Sequence, residues 1–186
     1  MELTELVERC RAGDRLAWEA LVRQFQGRVY GLALQYASDP DEARDLAQEA
    51  FVRVWRRLGT FRGHETFLPW LLMLTRNLCL DHVRRKGARP PFHDVDAEHA
   101  PDLADSSRAP DEEVALARRL SLVRRAIARL TERSREVLIL QEIHGLKVEE
   151  IASILGVPIG TVKSRASRAR LELARTVVSI DPSYGA

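Results

Sequence analysis

Thr161, Lys163, Ser164, Arg165, Ser167, Arg168 and Arg170 crowd into one ten-residue stretch that carries four cations and no acid. Guanidinium and ammonium groups donate to phosphates and to acceptor edges of bases, and a hydroxyl both donates and accepts. The chain as a whole carries 29 Lys+Arg against 27 Asp+Glu, a formal net charge of +2, so this positive surface is a local arrangement and not a by-product of composition. A second mixed set is Phe61-Arg62-Gly-His64-Glu65-Thr66-Phe67, followed by Arg76, Asn77, Arg84, Arg85 and Lys86. Covalent chemistry has no comparable set: there is no Gly-rich phosphate loop and no Ser/His/Asp group. Cys10 and Cys79 are the only cysteines, without CxxC spacing, which fits a reducing cytosol. Cys79 and His82 stand three apart on a predicted helix, but without a second pair they read as a buried thiol and a surface imidazole. No catalytic residue, metal or cofactor is expected.

The elements that must position the first set are two helices. Lys147 to Leu155 predicts one, with Val148, Ile151, Ala152 and Leu155 inward. Gly156 supplies the positive φ of a helix-ending turn, and Val157 fills the angle between the helices. Residues 158–161 open the second helix, where Pro158 is tolerated in a first turn. Val162, Ala166, Ala169 and Leu173 form its apolar stripe and leave the polar set on the remaining surface. Ala152 is small where the two would cross. This is a helix-turn-helix pattern, whose second helix enters the major groove. The indicated partner is duplex DNA. Lys163, Ser164, Ser167 and Arg168 share one exposed face suited to base edges, and Arg165 and Arg170 lie further round, toward phosphates.

The remaining elements are also helical. Residues 2–11 are amphipathic and broken by Gly13-Asp14, and residues 17–36 continue at helical spacing. Ser38-Asp39-Pro40-Asp41 is a start signal for a helix to about Leu58, acidic early and basic late, with Gly59 closing it. Residues 61–66 read as a loop and residues 67–85 as a further helix. Residues 87–112 change character, with four prolines and seven acids against Arg89 and Arg108. They are expected to form an extended acidic linker. The expected fold is all-α: helical domains at 1–88 and 113–178 joined by the linker 89–112, with the tail after Val178 unassigned. Residues 1–11 lack a signal-peptide core, and the apolar run around Phe67 to Leu74 is far too short to span a bilayer. A cytoplasmic protein without membrane insertion is expected.

Asp45-Leu-Ala-Gln48-Glu49-Ala-Phe51-Val-Arg-Val54-Trp55, Phe61-Arg-Gly, Trp70-Leu71, Arg76-Asn77, Asp81 and Arg84-Arg85 resemble region 2 of bacterial sigma factors. Leu130-Thr-Glu-Arg-Ser-Arg-Glu-Val-Leu138 and Gly160-Thr-Val-Lys-Ser-Arg165 resemble region 4. The resemblance covers nearly the whole chain outside the linker and tail, with no room for a further N-terminal or middle domain. It therefore points to the two-domain extracytoplasmic-function (ECF) class. It implies a non-catalytic factor that binds core RNA polymerase, reads −35 and −10 promoter elements and helps open the duplex. It also implies an anti-sigma factor as partner.

Residue by residue, the resemblance places Asp45, Gln48, Glu49, Phe51 and Trp55 on core polymerase. A core role for Phe51 and Trp55 fits as well, because Leu46, Ala50, Val54 and Leu58 take the inner face of the same helix. It places Phe61, Arg62, His64, Glu65, Thr66, Arg76, Asn77, Arg84 and Arg85 on the −10 element. There a flipped base is held by hydrogen bonds and apolar walls. Phe61, Phe67 and Trp70 read as packing residues, and Pro69, where many relatives have a polar residue, bears on the loop's shape. The acidic linker fits both a plain tether and a polyanion threading polymerase channels. An operator-binding repressor or response regulator would share the C-terminal helices, but it would need a sensor or dimerisation domain in the first block, and no such pattern is present.

Overall fold

Helix α1 (Leu3–Arg11) ends at a corner built by two residues. Gly13 takes φ 84°, a left-handed conformation that a side chain disfavours. Asp14 then caps α2 (Arg15–Ala33), its carboxylate accepting from the Leu16 and Ala17 N–H groups. Asp39 caps α3 (Pro40–Arg57) through the Glu42 N–H at 2.8 Å, with Pro40 in the first turn. The chain continues through a 3₁₀ turn (Leu58–Thr60), then α4 (Phe67–Lys86), α5 (Pro110–Ala128), α6 (Glu132–Leu138), α7 (Val148–Leu155), α8 (Ile159–Ile180) and a last 3₁₀ turn (Pro182–Gly185). The structure, a computed structural model, describes residues 2–62, 67–87 and 110–185, the side chains of 110–115, 117 and 185 excepted. Among the described residues every regular element is helical, and the chain divides into two units at His93 and Asp94.

In the first unit α2 packs on α1, α3 and α4, and α3 packs on α4. Leu21, Val29 and Leu32 of α2 meet Ala50 and Val54 of α3 and Leu71, Leu72 and Leu78 of α4 in the core, all of them buried. Leu46 and Leu58 join them, as the helical spacing requires. Helix α3 ends at Arg57, close to the expected Leu58, and Gly59 lies in the 3₁₀ turn that follows, without a left-handed φ. Burial of Leu58 keeps the chain turning, and Thr60 Oγ1 closes the 3₁₀ turn on the Arg57 carbonyl at 2.7 Å.

The end of α4 is fastened to the start of α3 by Glu42. Its carboxylate accepts from the Ser38 N–H, from Lys86 Nζ and from His82 Nε2 at 2.7 Å. Burial raises the Glu42 pKa, but the hydrogen bonds from Lys86, Ser38 and His82 outweigh it and bring the group from 4.5 down to about 2. The folded pKa lies below the unfolded one. The clasp's contribution is therefore complete above about pH 4.5 and is lost as pH falls through about 2. Glu42→Gln should cost about 2 kcal/mol at neutral pH, discounted for the exposed Lys86, and should flatten the acid limb of the stability curve. Tryptophan-detected denaturation across that range checks it, since Trp18, Trp55 and Trp70 all lie in this unit. An unaltered acid limb refutes the clasp.

In the second unit α8 packs on α5, α6 and α7. Leu130, Leu138 and Ala169 form a buried cluster joined by Ile127 and Leu173. Thr131 caps α6, and its own N–H donates to Glu172 of α8 at 2.9 Å. Helix α6 widens into a π-turn (Ile139–Ile143) before Gly145 reverses the chain with φ 68°. Helix α5 begins at Pro110, inside the span expected for the linker, and residues 88–109 lie outside the described residues. On α7 the buried residues are Ile151, Ala152 and Ile154, and Leu155 is only half-buried. The expected inner face is shifted because α7 packs against the π-turn as well as α8.

Candidate nucleic-acid interface

Gly156, with φ 64°, ends α7, and the Gly156 and Val157 N–H groups both return to the Ala152 carbonyl. That is the paired capping of a left-handed helix stop. Pro158 is the N-cap of α8 and not, as expected, part of its first turn; its carbonyl accepts from the Thr161 and Val162 N–H groups at 2.9 and 3.2 Å. Helix, turn 156–158 and helix therefore stand as the sequence pattern requires. Val162, Ala166 and Ala169 are buried, whereas Lys163, Ser164, Ser167 and Arg168 are exposed on the opposite face. Thr161 and Arg165 are half-buried at the edge of that face. Arg168 makes only long local contacts, 3.4 Å to the Ser164 carbonyl and 3.5 Å to its hydroxyl.

Arg170 is placed differently. Its Nε and Nη2 donate to Glu142 Oε1 at 3.1 and 2.9 Å, so the π-turn holds this guanidinium beside α8. Sequence reasoning missed Glu142, because a pair separated by twenty-eight positions leaves no local signal.

In the first unit Phe61 is buried against Phe67 and Trp70, with ring centroids 5.6 and 5.0 Å away. Phe67 and Trp70 are buried too, so these rings are packing residues. Arg62 and Asn77 are exposed and Arg76 is half-buried. Arg84 and Arg85 are exposed at the end of α4, Arg84 near Asp81 at 3.6 Å and Arg85 donating to the Asp81 carbonyl at 3.3 Å. His64, Glu65 and Thr66 lie outside the described residues. Burial pushes the Cys79 thiol up to about 12, and His82 is turned to Glu42.

On α3, Asp45, Gln48 and Glu49 are exposed, and Glu49 accepts from Arg53 at 2.9 Å. Phe51 is buried, edge-on to Trp18 at 6.3 Å. Trp55 is 47% exposed and edge-on to the same Trp18 at 4.9 Å. The structure thus separates two residues the sequence treated together: Phe51 is core, and Trp55 is a surface ring held in place by Trp18.

The Sigma-70 region 2 family model matches residues 21–89 and the Sigma-70 region 4 model matches residues 120–173. The chain is 39% identical over 171 residues to the RNA polymerase sigma-H factor of Pseudomonas aeruginosa, covering 89% of each. It is 38% identical over 170 residues to the ECF RNA polymerase sigma-E factor of Escherichia coli K12, covering 89% of this chain and 88% of the relative. Among solved structures it is similar to the sigma factor RpoE of Bartonella quintana in complex with the anti-sigma factor NepR. That match has TM-score 0.65 and 26% identity, and covers 88% of this chain and 97% of that one. The fold is also that of CnrH in complex with the cytosolic domain of CnrY, with TM-score 0.66, 24% identity, and 95% and 96% of the chains covered. Both sigma regions lie in order on one chain whose described elements are helices, and the relatives cover 89% of it, so this protein belongs to the ECF sigma factors: non-catalytic factors that direct promoter-specific transcription initiation by RNA polymerase.

Proposed function

We propose that the working surfaces of this sigma factor are the three surfaces described above. The exposed face of α8 reads the −35 element, with Lys163, Ser164, Ser167 and Arg168 toward base edges and Thr161, Arg165 and Arg170 toward the backbone. The segment from Phe61 to Thr66, together with Arg76, Asn77, Arg84 and Arg85, serves the −10 element. Asp45, Gln48, Glu49 and Trp55 on α3 dock on core polymerase, and Phe51 supports them from below. The domain bounds that go with this reading are 1–88, 89–112 and 113–178. An anti-sigma factor covers the polymerase-binding surfaces, a reading supported by the similarity to RpoE bound to NepR. No described helix is long and apolar enough to cross a membrane, and we place the protein in the cytoplasm, beside polymerase.

The observation that carries the reading is the division of α8: a buried small-residue stripe on one side and an exposed Lys/Ser/Ser/Arg face on the other. Transcription by core polymerase with the purified chain, across a randomised promoter library, tests it. The expected result is a recovered promoter set with two spaced preferred elements. Transcripts indistinguishable from those of core alone would count decisively against it.

Charge reversal on α3 gives a narrower test. Asp45→Lys with Glu49→Lys should weaken assembly with core polymerase about tenfold, in line with loss of two complementary charges at an interface. DNA binding by the second unit should be preserved. Titration against labelled core measures the first, and an unchanged affinity removes this face from the interface.

A further inference from the structure

Helix α1 lies before residue 21, outside the segment matched by the region 2 family model, yet one of its side chains grips the turn that leads into the −10 segment. Arg11 Nε donates to the Leu58 carbonyl at 3.1 Å, and Arg11 Nη2 donates to the Phe61 carbonyl. The third nitrogen, Nη1, is held by Glu8 Oε1 at 2.5 Å. The guanidinium carbon stands 5.8 Å from the centroid of the Phe61 ring. Leu58 and Phe61 are the first residue and the C-cap of the 3₁₀ turn, already joined by the Phe61 N–H at 3.2 Å to the Leu58 carbonyl. One planar fork therefore spans both ends of the turn, an arrangement a single ammonium cannot reproduce. Phe61 is in turn locked among Phe67 and Trp70, and Arg62 leaves this anchor into solvent.

We propose that Arg11 is a positioning residue for −10 recognition, setting the direction in which the chain leaves Phe61. The proposal rests on the reading above that this segment serves the −10 element. Arg11 touches no DNA in this role. It acts by holding two backbone carbonyls and one ring, so that the chain reaches Arg62 in one geometry. Preorganisation of that kind is lost when the anchor can move, even if the groups that contact the ligand are intact.

The test uses full-length chain in holoenzyme, on the strongest promoter recovered from the library and on the same promoter with a scrambled −10 element. Arg11→Met should reduce the ratio of opening rates on these two templates about tenfold, with core affinity and dependence on the −35 element unchanged within about twofold. Arg11→Lys, which keeps the charge but not the fork, should recover less than half of that loss on a logarithmic scale. Cys10→Ala, which removes a buried thiol from the same helix and keeps the Arg11 fork, is the stability control. At equal or greater loss of thermal stability it should keep the wild-type ratio. A wild-type ratio in Arg11→Met, full rescue by Arg11→Lys, or an equal loss in Cys10→Ala each overturns the proposal. Failure of the underlying reading looks different: wild-type holoenzyme itself would then not discriminate between the two templates.

Discussion

Replacing Arg135 by methionine should destabilise the C-terminal unit by about 3 kcal/mol while leaving the N-terminal unit unchanged. Arg135 is only 4% exposed, and it is buried for a specific purpose. Its Nε donates to the Ile127 carbonyl at 2.9 Å, and its Nη2 donates to the Ala128 and Leu130 carbonyls at 2.5 and 2.8 Å. These carbonyls belong to the last turn of α5 and the residues just past it, where intrahelical partners run out. Burial lowers the guanidinium's pKa, and Glu132 and Glu172 act against that shift, so the cation sits between carbonyl dipoles and two nearby carboxylates. Methionine keeps most of the stem's packing but supplies no donor, and leaves the carbonyls without this partner. The same corner carries the Thr131 bond to Glu172, so its loosening reaches α8. The chain provides its own control: all 3 tryptophans lie in the other unit. Amide exchange on α8 should accelerate by about two orders of magnitude, and tryptophan-detected denaturation should not move. Arg135→Lys should recover less than half of the loss, because a single ammonium does not reproduce the two nitrogen positions from which the planar fork reaches the three carbonyls. Unchanged exchange on α8 would refute the role.

Arg168 and Arg170 should fail in different ways when each is replaced by alanine. Arg168 stands on the exposed face with only long contacts to Ser164, so its fork is available for a base edge. Its loss should cost about 2 kcal/mol on the matched promoter and relax preference at one or two −35 positions. Arg170 lies toward the border of the buried stripe, paired with Glu142, and both side chains are about half exposed. An exposed pair of this kind is worth at most about 1 kcal/mol, so a phosphate can take the carboxylate's place. Arg170→Ala should therefore weaken all sequences about equally and lower the slope of log affinity against log salt by about one. The measurement is holoenzyme binding to matched and scrambled −35 templates over a range of salt. If Arg168→Ala weakens both templates equally, the helix is a phosphate clamp, and specificity must come from the −10 segment or from DNA shape.

The helices were legible because their signals are local. Asp39-Pro40 starts α3, Gly156 stops α7, and the Val162, Ala166 and Ala169 spacing orients α8; each needs only neighbours within two turns. The family was legible for the same reason, since its motifs are short, ordered runs such as Phe61-Arg-Gly and Gly160-Thr-Val-Lys-Ser-Arg165. The exposed Lys163, Ser164, Ser167 and Arg168 face followed by subtraction once the apolar stripe was assigned.

What only the tertiary structure decided are the ties between residues far apart in the chain. Arg11 on the Leu58 and Phe61 carbonyls, Glu42 with Lys86, and Glu142 with Arg170 have no periodic signature. A charged side chain reads the same in sequence whether it faces water or a partner forty positions away. Phe51 and Trp55 show the limit most plainly. Both are aromatic, both lie on α3, and periodicity allowed either role for each. Trp18 of α2 separates them, covering Phe51 and leaving Trp55 half open. Which side of an amphipathic helix is buried is set by its own spacing, but how far that burial extends around the helix is set by the neighbour packed against it.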